Sequence, residues 1–155
     1  MMTDDKNEFS GDVLMESTGD GGDIVVSDGL VMGCHDFTTA ALLSLFGGNK
    51  DDTDGRPKET WWGNLVPGTK KNERMQSELG SMVEGIALTS GNLRKAAKAA
   101  ERDLDWIKSD AGADDVSVSL AALTLSVAAL TAEVVSDGQR AGGGTYELQW
   151  QEAVR

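Results

Sequence analysis

The sequence is poor in residues that form disulfides, imidazole metal sites and rigid turns. Its 155 residues include one cysteine, Cys34, one histidine, His35, and two prolines. A single cysteine excludes a disulfide within the chain, and a single histidine excludes a multi-histidine metal site or an imidazole acid–base pair. Because adjacent side chains rarely converge on one ligand, we interpret Cys34-His35 as ordinary residues before a helix rather than a metal site or nucleophile pair.

Long apolar segments are also missing. No stretch approaches 18 uninterrupted apolar residues, and the first residues, Met-Met-Thr-Asp-Asp, have neither the basic nor the apolar region of a signal peptide. We therefore expect a soluble protein that is made in the cytoplasm and has no membrane contact.

Positive charge is scarce in the N-terminal third. The whole chain has 26 acidic and 14 basic residues, and residues 1–54 hold twelve Asp or Glu against Lys6 and Lys50. Such a field repels phosphate backbones and attracts cationic protein surfaces, which argues against nucleic-acid binding by this part. Residues 1–22, which are polar and rich in Gly and Asp, are predicted to be an acidic flexible tail. Residues 23–155 then suit a single domain.

No motif indicates catalysis, a metal or a cofactor. The acidic loop at residues 51–55 fails as a calcium loop, since placing Gly55 at the sixth position puts Lys50 first and Trp61 twelfth. The glycines at residues 19–22 lack the spacing of a phosphate loop, and no Gly-x-Ser-x-Gly elbow occurs. With 26 acids in the chain, carboxylate pairs are not specific. We predict a protein that is not an enzyme.

The apolar pattern predicts an α+β fold with an N-terminal hairpin, about three helices and a C-terminal antiparallel sheet. The hairpin joins residues 24–26 to residues 30–32 through Ser27-Asp28-Gly29. The first helix is capped by Asp36 and stopped at Gly47-Gly48. The second covers about residues 72–88, and the third begins at Thr89 or Ser90 and ends near Lys108.

The stretch after residue 115 has two interpretations. Alternating apolar residues predict two antiparallel strands with Ser and Thr on the exposed face, the second series being Leu123, Leu125 and Val127. The same stretch also fits a helix, through Leu120, Leu123, Val127, Leu130 and Val134. The Ser/Thr interleaving and the valines favour strands. A loop including residues 141–144 and a final strand with Tyr146, Leu148 and Trp150 complete the prediction.

Two features are candidates for partner contact. Trp61-Trp62 precedes Gly63-Asn64, and one local surface cannot easily bury both rings, so one ring is expected to pack inward and the other to meet a second element or a partner. The alternative is two core anchors beside a turn. A basic ridge is predicted on the third helix, opposite its apolar face, and a solvated helix face is the alternative there. The ridge comprises Arg94, Lys95, Lys98 and Arg102.

Several segments, taken in order, resemble the Mu-type phage baseplate wedge family, the gene product forty-six group of contractile-tailed phages, over about residues 23–151. The most specific are Leu-Ser-Leu-Phe at residues 43–46 and Trp61-Trp62-Gly63-Asn64. Asp23-Ile24-Val25-Val26, Gly80-Ser81, Leu104-Asp105-Trp106-Ile107 and the strand at residues 116–120 accompany them. The chain departs from the family pattern at residues 82–88, which are less apolar and aromatic, and in the acidic tail, which has no counterpart.

This resemblance implies a structural subunit of a contractile tail baseplate wedge. Such a subunit would lie around the tail tube in sixfold symmetry, contact other wedge subunits and sheath or tube proteins, and reside in the virion after assembly in the host cytoplasm. Membrane and nucleic-acid contacts are not expected of it. The alternative is a small acidic protein of the anti-defence or DNA-mimic type that binds a basic partner.

Overall fold

The computed structural model describes residues 11–18, 22–48, 64, 66–70, 74–75 and 77–150. It confirms the α+β class, with three helices, a C-terminal antiparallel sheet and small N-terminal strand pairs among these residues. The helices are α1 (Thr38–Phe46), α2 (Leu79–Gly85) and α3 (Ser90–Ser109). No described helix is long and apolar enough to cross a membrane.

The C-terminal sheet has the order β7-β8-β9, all antiparallel. Its strands are β7 (Asp115–Ala122), β8 (Val127–Ser136) and β9 (Gln139–Gln149), so the strand interpretation is confirmed and the helical alternative is wrong. Alternate residues of β8 are buried against the helices, whereas Thr131 and Glu133 face outward. Asp137 and Gly138 both have positive φ, which suits a tight turn between β8 and β9.

Two details of the predicted sheet are wrong. Leu123 and Leu125 lie in the turn between β7 and β8, because β7 ends at Ala122 and β8 begins at Val127. Residues 141–144 are not a loop but part of β9. Their glycines suit close packing: a Cβ at Gly142, where φ is 142°, would lie 2.6 Å from the carbonyl carbon of Phe37. Phe37 N–H donates to Ala141 O over 2.8 Å, which fastens the start of α1 to the sheet.

Helix α3 agrees with its prediction. Thr89 caps it, since its side chain accepts a 3.2 Å hydrogen bond from the N–H of Asn92. The buried residues recur at helical spacing and pack on the sheet beside β7: Ala96, Ala99, Ala100, Leu104 and Ile107. Truncating a fully buried Leu such as Leu104 to Ala costs about 2–5 kcal/mol, so this face anchors the core.

Helix α2 is much shorter than predicted. The sequence pattern extends it over residues 72–88, but the structure has Leu79–Gly85, and residue 72 lies outside the described ranges. Met75 cannot continue the helix, because the side chain of Asn64 occupies both its N–H (2.8 Å) and its C=O (2.7 Å). The N–H groups of Glu78 and Leu79 are bound by Asp103 of α3, which fixes where α2 begins.

Helix α1 has Phe37 at its N-cap position, so the predicted cap at Asp36 is wrong by one residue. Asp36 Oδ1 still accepts a 2.9 Å hydrogen bond from the N–H of Thr38, the first residue of the helix. It ends before Gly47, as predicted, where the N–H of Gly47 bonds Leu43 O over 2.7 Å. A Cβ at Gly47 would clash with the backbone carbonyl oxygen of Leu43 as well as with the sulfur of Met75, so glycine is required there by packing.

Residues 12–18 and 22–34 form a small N-terminal β unit. Its six strands are β1 (Asp12–Val13), β2 (Met15–Ser17), β3 (Gly22–Ile24), β4 (Val26–Ser27), β5 (Leu30–Val31) and β6 (Gly33–Cys34). They pair antiparallel as β1 with β6, β2 with β3 and β4 with β5. The predicted hairpin is thus present as β4 and β5, with positive φ at Asp28 and Gly29. Residues 12–17, which the sequence assigns to the acidic tail, are paired strands here, whereas the tail boundary at residue 22 stays a prediction.

The three strand pairs meet in a closed ring of backbone hydrogen bonds. Leu14 N–H donates to Met32 O (2.8 Å), Met32 N–H to Val25 O (2.9 Å), and Val25 N–H to Leu14 O (3.0 Å). Thr39 of α1 holds this unit to the body: its hydroxyl donates to Val13 O over 2.7 Å and accepts from the N–H of Met15 over 3.0 Å. The β4–β5 hairpin therefore extends from a junction that is fixed at its base.

Candidate assembly surface

The β4–β5 hairpin, residues 26–31, exposes apolar side chains on both of its faces; we call it the β arm. Val26 and Val31 are paired directly across the hairpin, so their side chains share one face. Leu30 is paired with Ser27 and lies on the opposite face, because successive side chains alternate along a strand. Val26 is 59%, Leu30 71% and Val31 58% exposed. A ribbon of this kind buries its apolar side chains only if another surface covers both faces.

The rest of the N-terminal β unit adds to this patch. Its exposed large apolar residues are Val13, Ile24, Val26, Leu30, Val31 and Met32. Because these side chains are already partly covered, burying the remaining area of the three in the β arm would contribute roughly 3–6 kcal/mol. Association costs an amount of similar size in lost translational and rotational freedom. The β arm thus favours contact, and a stable complex requires additional interactions.

The N-terminal β unit also carries exposed carboxylates. Glu16 and Asp23 are exposed and directly opposite each other in the β2–β3 pair, an arrangement that destabilises a sheet through like-charge repulsion. Asp12 lies in β1 and Asp28 at the tip of the β arm. Within the described ranges, no salt bridge is formed by any of these four carboxylates. A cationic surface is therefore the complementary partner for this unit.

The basic ridge predicted on α3 is exposed, but its members differ in their surroundings. Arg102 forms a 2.7 Å ion pair with Glu78 at the start of α2, and this hydrogen bond raises the pKa of Arg102. Arg94, Lys95 and Lys98 have no ion-pair partner among the residues that the structure describes. The uniformly basic part of the ridge is thus its N-terminal half, at residues 94–98.

The tryptophan doublet, Trp61 and Trp62, lies outside the described residues. The last residue of its motif is described: Asn64 pairs through its side-chain amide with the backbone of Met75. Such two-point pairing joins the segment after the doublet to the segment before α2. Asn64 consequently has a structural role, while the contact roles of Trp61 and Trp62 stay predictions.

A polar site around the Asp103 carboxylate connects the three helices. The Asp103 carboxylate accepts from the N–H of Glu78 (2.8 Å) and of Leu79 (3.1 Å), and from the hydroxyl of Ser77 (3.2 Å). The same hydroxyl lies 2.7 Å from Leu45 O near the end of α1. Burial raises the pKa of Asp103 to about 6, although the donated hydrogen bonds lower it. Because the two backbone donors belong to the start of α2, the site is explained by helix capping.

Cys34 and His35 do not converge. Cys34 is buried, with its sulfur 3.4 Å from the hydroxyl of Thr39, whereas His35 is exposed. Across the described ranges, no three His, Cys, Asp or Glu side chains are grouped so as to hold a metal ion. This arrangement offers no nucleophile–base contact between the two residues.

An apolar groove of about 240 Å³ lies between the β2–β3 pair, α1 and β9. Phe46 and Tyr146 line it, with ring centroids 5.2 Å apart and the rings at 71°. The buried hydroxyl of Tyr146 has no hydrogen-bond partner among the described groups, and burial raises its pKa. Glu147 also lines the groove and gives it the same sign of charge as the N-terminal β unit.

Comparison with protein-family models, curated proteins and solved structures finds no match for this chain.

Sequence reasoning located the hairpin but missed its exposed faces. The signal was present in two adjacent apolar pairs, Val25-Val26 and Leu30-Val31, which place apolar side chains on both faces of a two-stranded ribbon. A half-buried hairpin would instead alternate apolar with polar residues. The opposed carboxylates of Glu16 and Asp23 gave no signal, because their pairing depends on a register that the sequence pattern did not predict.

Proposed function

We propose that this chain is a structural subunit that assembles through protein–protein contacts, as a wedge component of a contractile phage tail baseplate. The observation that carries the assembly role is the β arm, whose exposed apolar side chains lie on both faces of the hairpin. Monomeric proteins rarely expose contiguous apolar patches larger than roughly a few hundred Å², and larger patches often mark interaction sites. The baseplate assignment rests on the family resemblance of residues 23–151.

Two further features support an assembly role. The N-terminal half of the basic ridge is exposed, and charged surfaces of opposite sign steer subunits toward each other more than they add affinity. The ring of backbone hydrogen bonds at Leu14, Val25 and Met32 fixes the base of the β arm, so less order has to be gained on binding. Trp61 and Trp62 remain candidate contacts for other wedge subunits or for sheath and tube proteins.

A second candidate function is binding of a basic partner protein by the acidic N-terminal β unit. The directly opposed carboxylates of Glu16 and Asp23 favour it, because a bound cation would relieve their repulsion. In that case the chain would act as a free acidic binder in the cytoplasm rather than as part of a particle.

Immunogold labelling of purified tail particles tests the proposal. An antibody raised against the full chain should mark the distal end of the tail, and antibody pre-absorbed with the pure protein should leave it unmarked. Labelling confined to free cytoplasmic complexes would contradict the baseplate role. Isolation of a salt-sensitive complex with a basic nucleic-acid-binding protein would then support the second candidate.

A further inference from the structure

The turn between β7 and β8 and the start of α3 lie side by side. Trp150, just after β9, connects them: its backbone N–H donates to Ser126 O over 2.7 Å, and its indole N–H donates to Ile86 O over 2.6 Å. Ser126 belongs to the β7–β8 turn, and Ile86 precedes the α3 cap Thr89 by three residues. Both segments therefore belong to one end of the molecule.

This end presents apolar and basic side chains. Leu123 is 54% and Leu125 98% exposed in the β7–β8 turn. Arg94 and Lys95 are exposed in the second turn of α3. We call this combined surface, residues 94–95 with residues 123–126, the turn–helix surface.

The N-terminal β unit and the turn–helix surface are complementary. The β arm offers Leu30 with the carboxylate of Asp28 in its turn, and Asp23 lies in the preceding strand β3. The turn–helix surface offers Leu125 with Lys95. The apolar groove beside Tyr146 is not complementary to the β arm in this way, because Glu147 repeats its negative charge. Apolar contact combined with opposite charge distinguishes a specific interface from non-specific association.

From this complementarity we infer that the β arm of one copy docks on the turn–helix surface of a second copy. The contact joins two different patches, so it is head-to-tail and extends to a closed ring or an open chain of subunits. The inference concerns self-association of this chain alone, and it goes beyond the proposed wedge function, which requires only contacts with other proteins.

Sedimentation velocity of the full chain at low ionic strength tests the inference with two exposed Leu positions. Leu30→Ser removes the apolar side chain of the β arm, and Leu125→Ser that of the turn–helix surface. Val66→Ser, at an exposed residue elsewhere, is the matched control. We expect wild type and control to associate as concentration rises, and each Leu variant to associate about tenfold more weakly, because a buried Leu contributes that much to affinity.

Mixing the two Leu variants is the decisive measurement in this experiment. Each variant keeps the surface that the other lacks, so the mixture should form a dimer but nothing larger. A wild type that stays monomeric at the highest concentration reached would overturn the inference. So would normal self-association of Leu125→Ser alongside loss in Leu30→Ser, since that pattern indicates contact between two β arms. Unchanged circular dichroism establishes that each variant is folded.

A charge exchange tests the electrostatic half of the contact. Lys95→Glu should weaken association most at low salt, where screening is least. Combining it with Asp23→Lys in the same chain should restore association, since the two signs are then reversed together. Failure of this rescue in a folded double variant would contradict the pairing of these two surfaces. Tail labelling is independent of all these measurements, so failure of self-association and failure of the baseplate role are distinguished.

Discussion

The Asp103 carboxylate accepts the backbone N–H groups of Glu78 and Leu79, so a side chain of α3 caps the start of α2. A helix as short as α2, with glycine at residues 80 and 85, has little stability of its own. Its position depends on this tertiary cap and on the ion pair between Arg102 and Glu78 beside it.

Removing the cap should destabilise the protein measurably. We expect Asp103→Ala to lower the free energy of unfolding by about 1–2 kcal/mol, because the donors on Glu78 and Leu79 lose their acceptor. Asp103→Asn should lose less, since its amide oxygen still accepts. Asp105→Ala is the matched control, because Asp105 makes an exposed ion pair with Lys108 and such pairs contribute little to stability. Urea denaturation distinguishes them, and equal losses at residues 103 and 105 would contradict the capping role.

The same carboxylate predicts a pH dependence of stability. The pKa of Asp103 is raised from 3.8 to about 6 in the folded state by burial, so the folded protein binds the proton more tightly than the unfolded chain does. The stabilisation that this proton gives the folded protein is fully present below the pKa of Asp103 in the unfolded chain. It is lost as pH rises through about 6, the pKa of Asp103 in the folded protein. The unfolding free energy of wild type relative to Asp103→Asn should therefore fall over this interval. A rise instead would mean that the donated hydrogen bonds outweigh burial.

Trp150 should be among the most sensitive positions in the C-terminal half. It is buried, and its indole N–H bonds Ile86 O over 2.6 Å. We expect Trp150→Ala to cost about 3–5 kcal/mol and Trp150→Phe about 1 kcal/mol, because phenylalanine keeps most of the apolar area but leaves a carbonyl unpaired. Trp106 is the comparison, since it is partly exposed while its N–H bonds the hydroxyl of Ser44. Thermal unfolding should show a smaller loss for Trp106→Ala than for Trp150→Ala.

The tryptophan doublet gives a prediction on the segment between α1 and α2. Trp61→Ala or Trp62→Ala should cost roughly 3–5 kcal/mol where the ring is buried in the monomer. A ring that serves a partner should show less loss in the isolated chain and a larger defect in particle assembly. Thermal unfolding and assembly yield are measured together. If both substitutions prove neutral in both measurements, the doublet is not an anchor of either kind.

Local periodicity predicted the elements whose stability is set by one buried face. Helix α3 and the strands of the C-terminal sheet follow this rule, because their apolar residues recur with the period of the element. The start of α2 was not predicted by periodicity. It is set by the contact of Leu79 with Asp103, which is 24 residues away in the sequence. The sequence pattern places Gly142 in a loop, whereas the structure places it in β9. Glycine is needed there because the backbone of Phe37 approaches closely, and this contact is not visible in the local sequence. The ring at Leu14, Val25 and Met32 is likewise a product of tertiary contact.

The basic ridge on α3 separates into two parts with different expected behaviour. Lys98 is exposed and has no described ion-pair partner, so Lys98→Glu should leave folding unchanged. Arg102→Glu would place a second carboxylate beside Glu78, and we expect a small loss of stability from that change alone. If the ridge is a subunit contact, Lys98→Glu should slow wedge formation, most strongly at low salt, because exposed charges act mainly on association rate. Assembly kinetics that stay unchanged at low ionic strength, in a variant with normal circular dichroism, would identify the ridge as a solvated helix face.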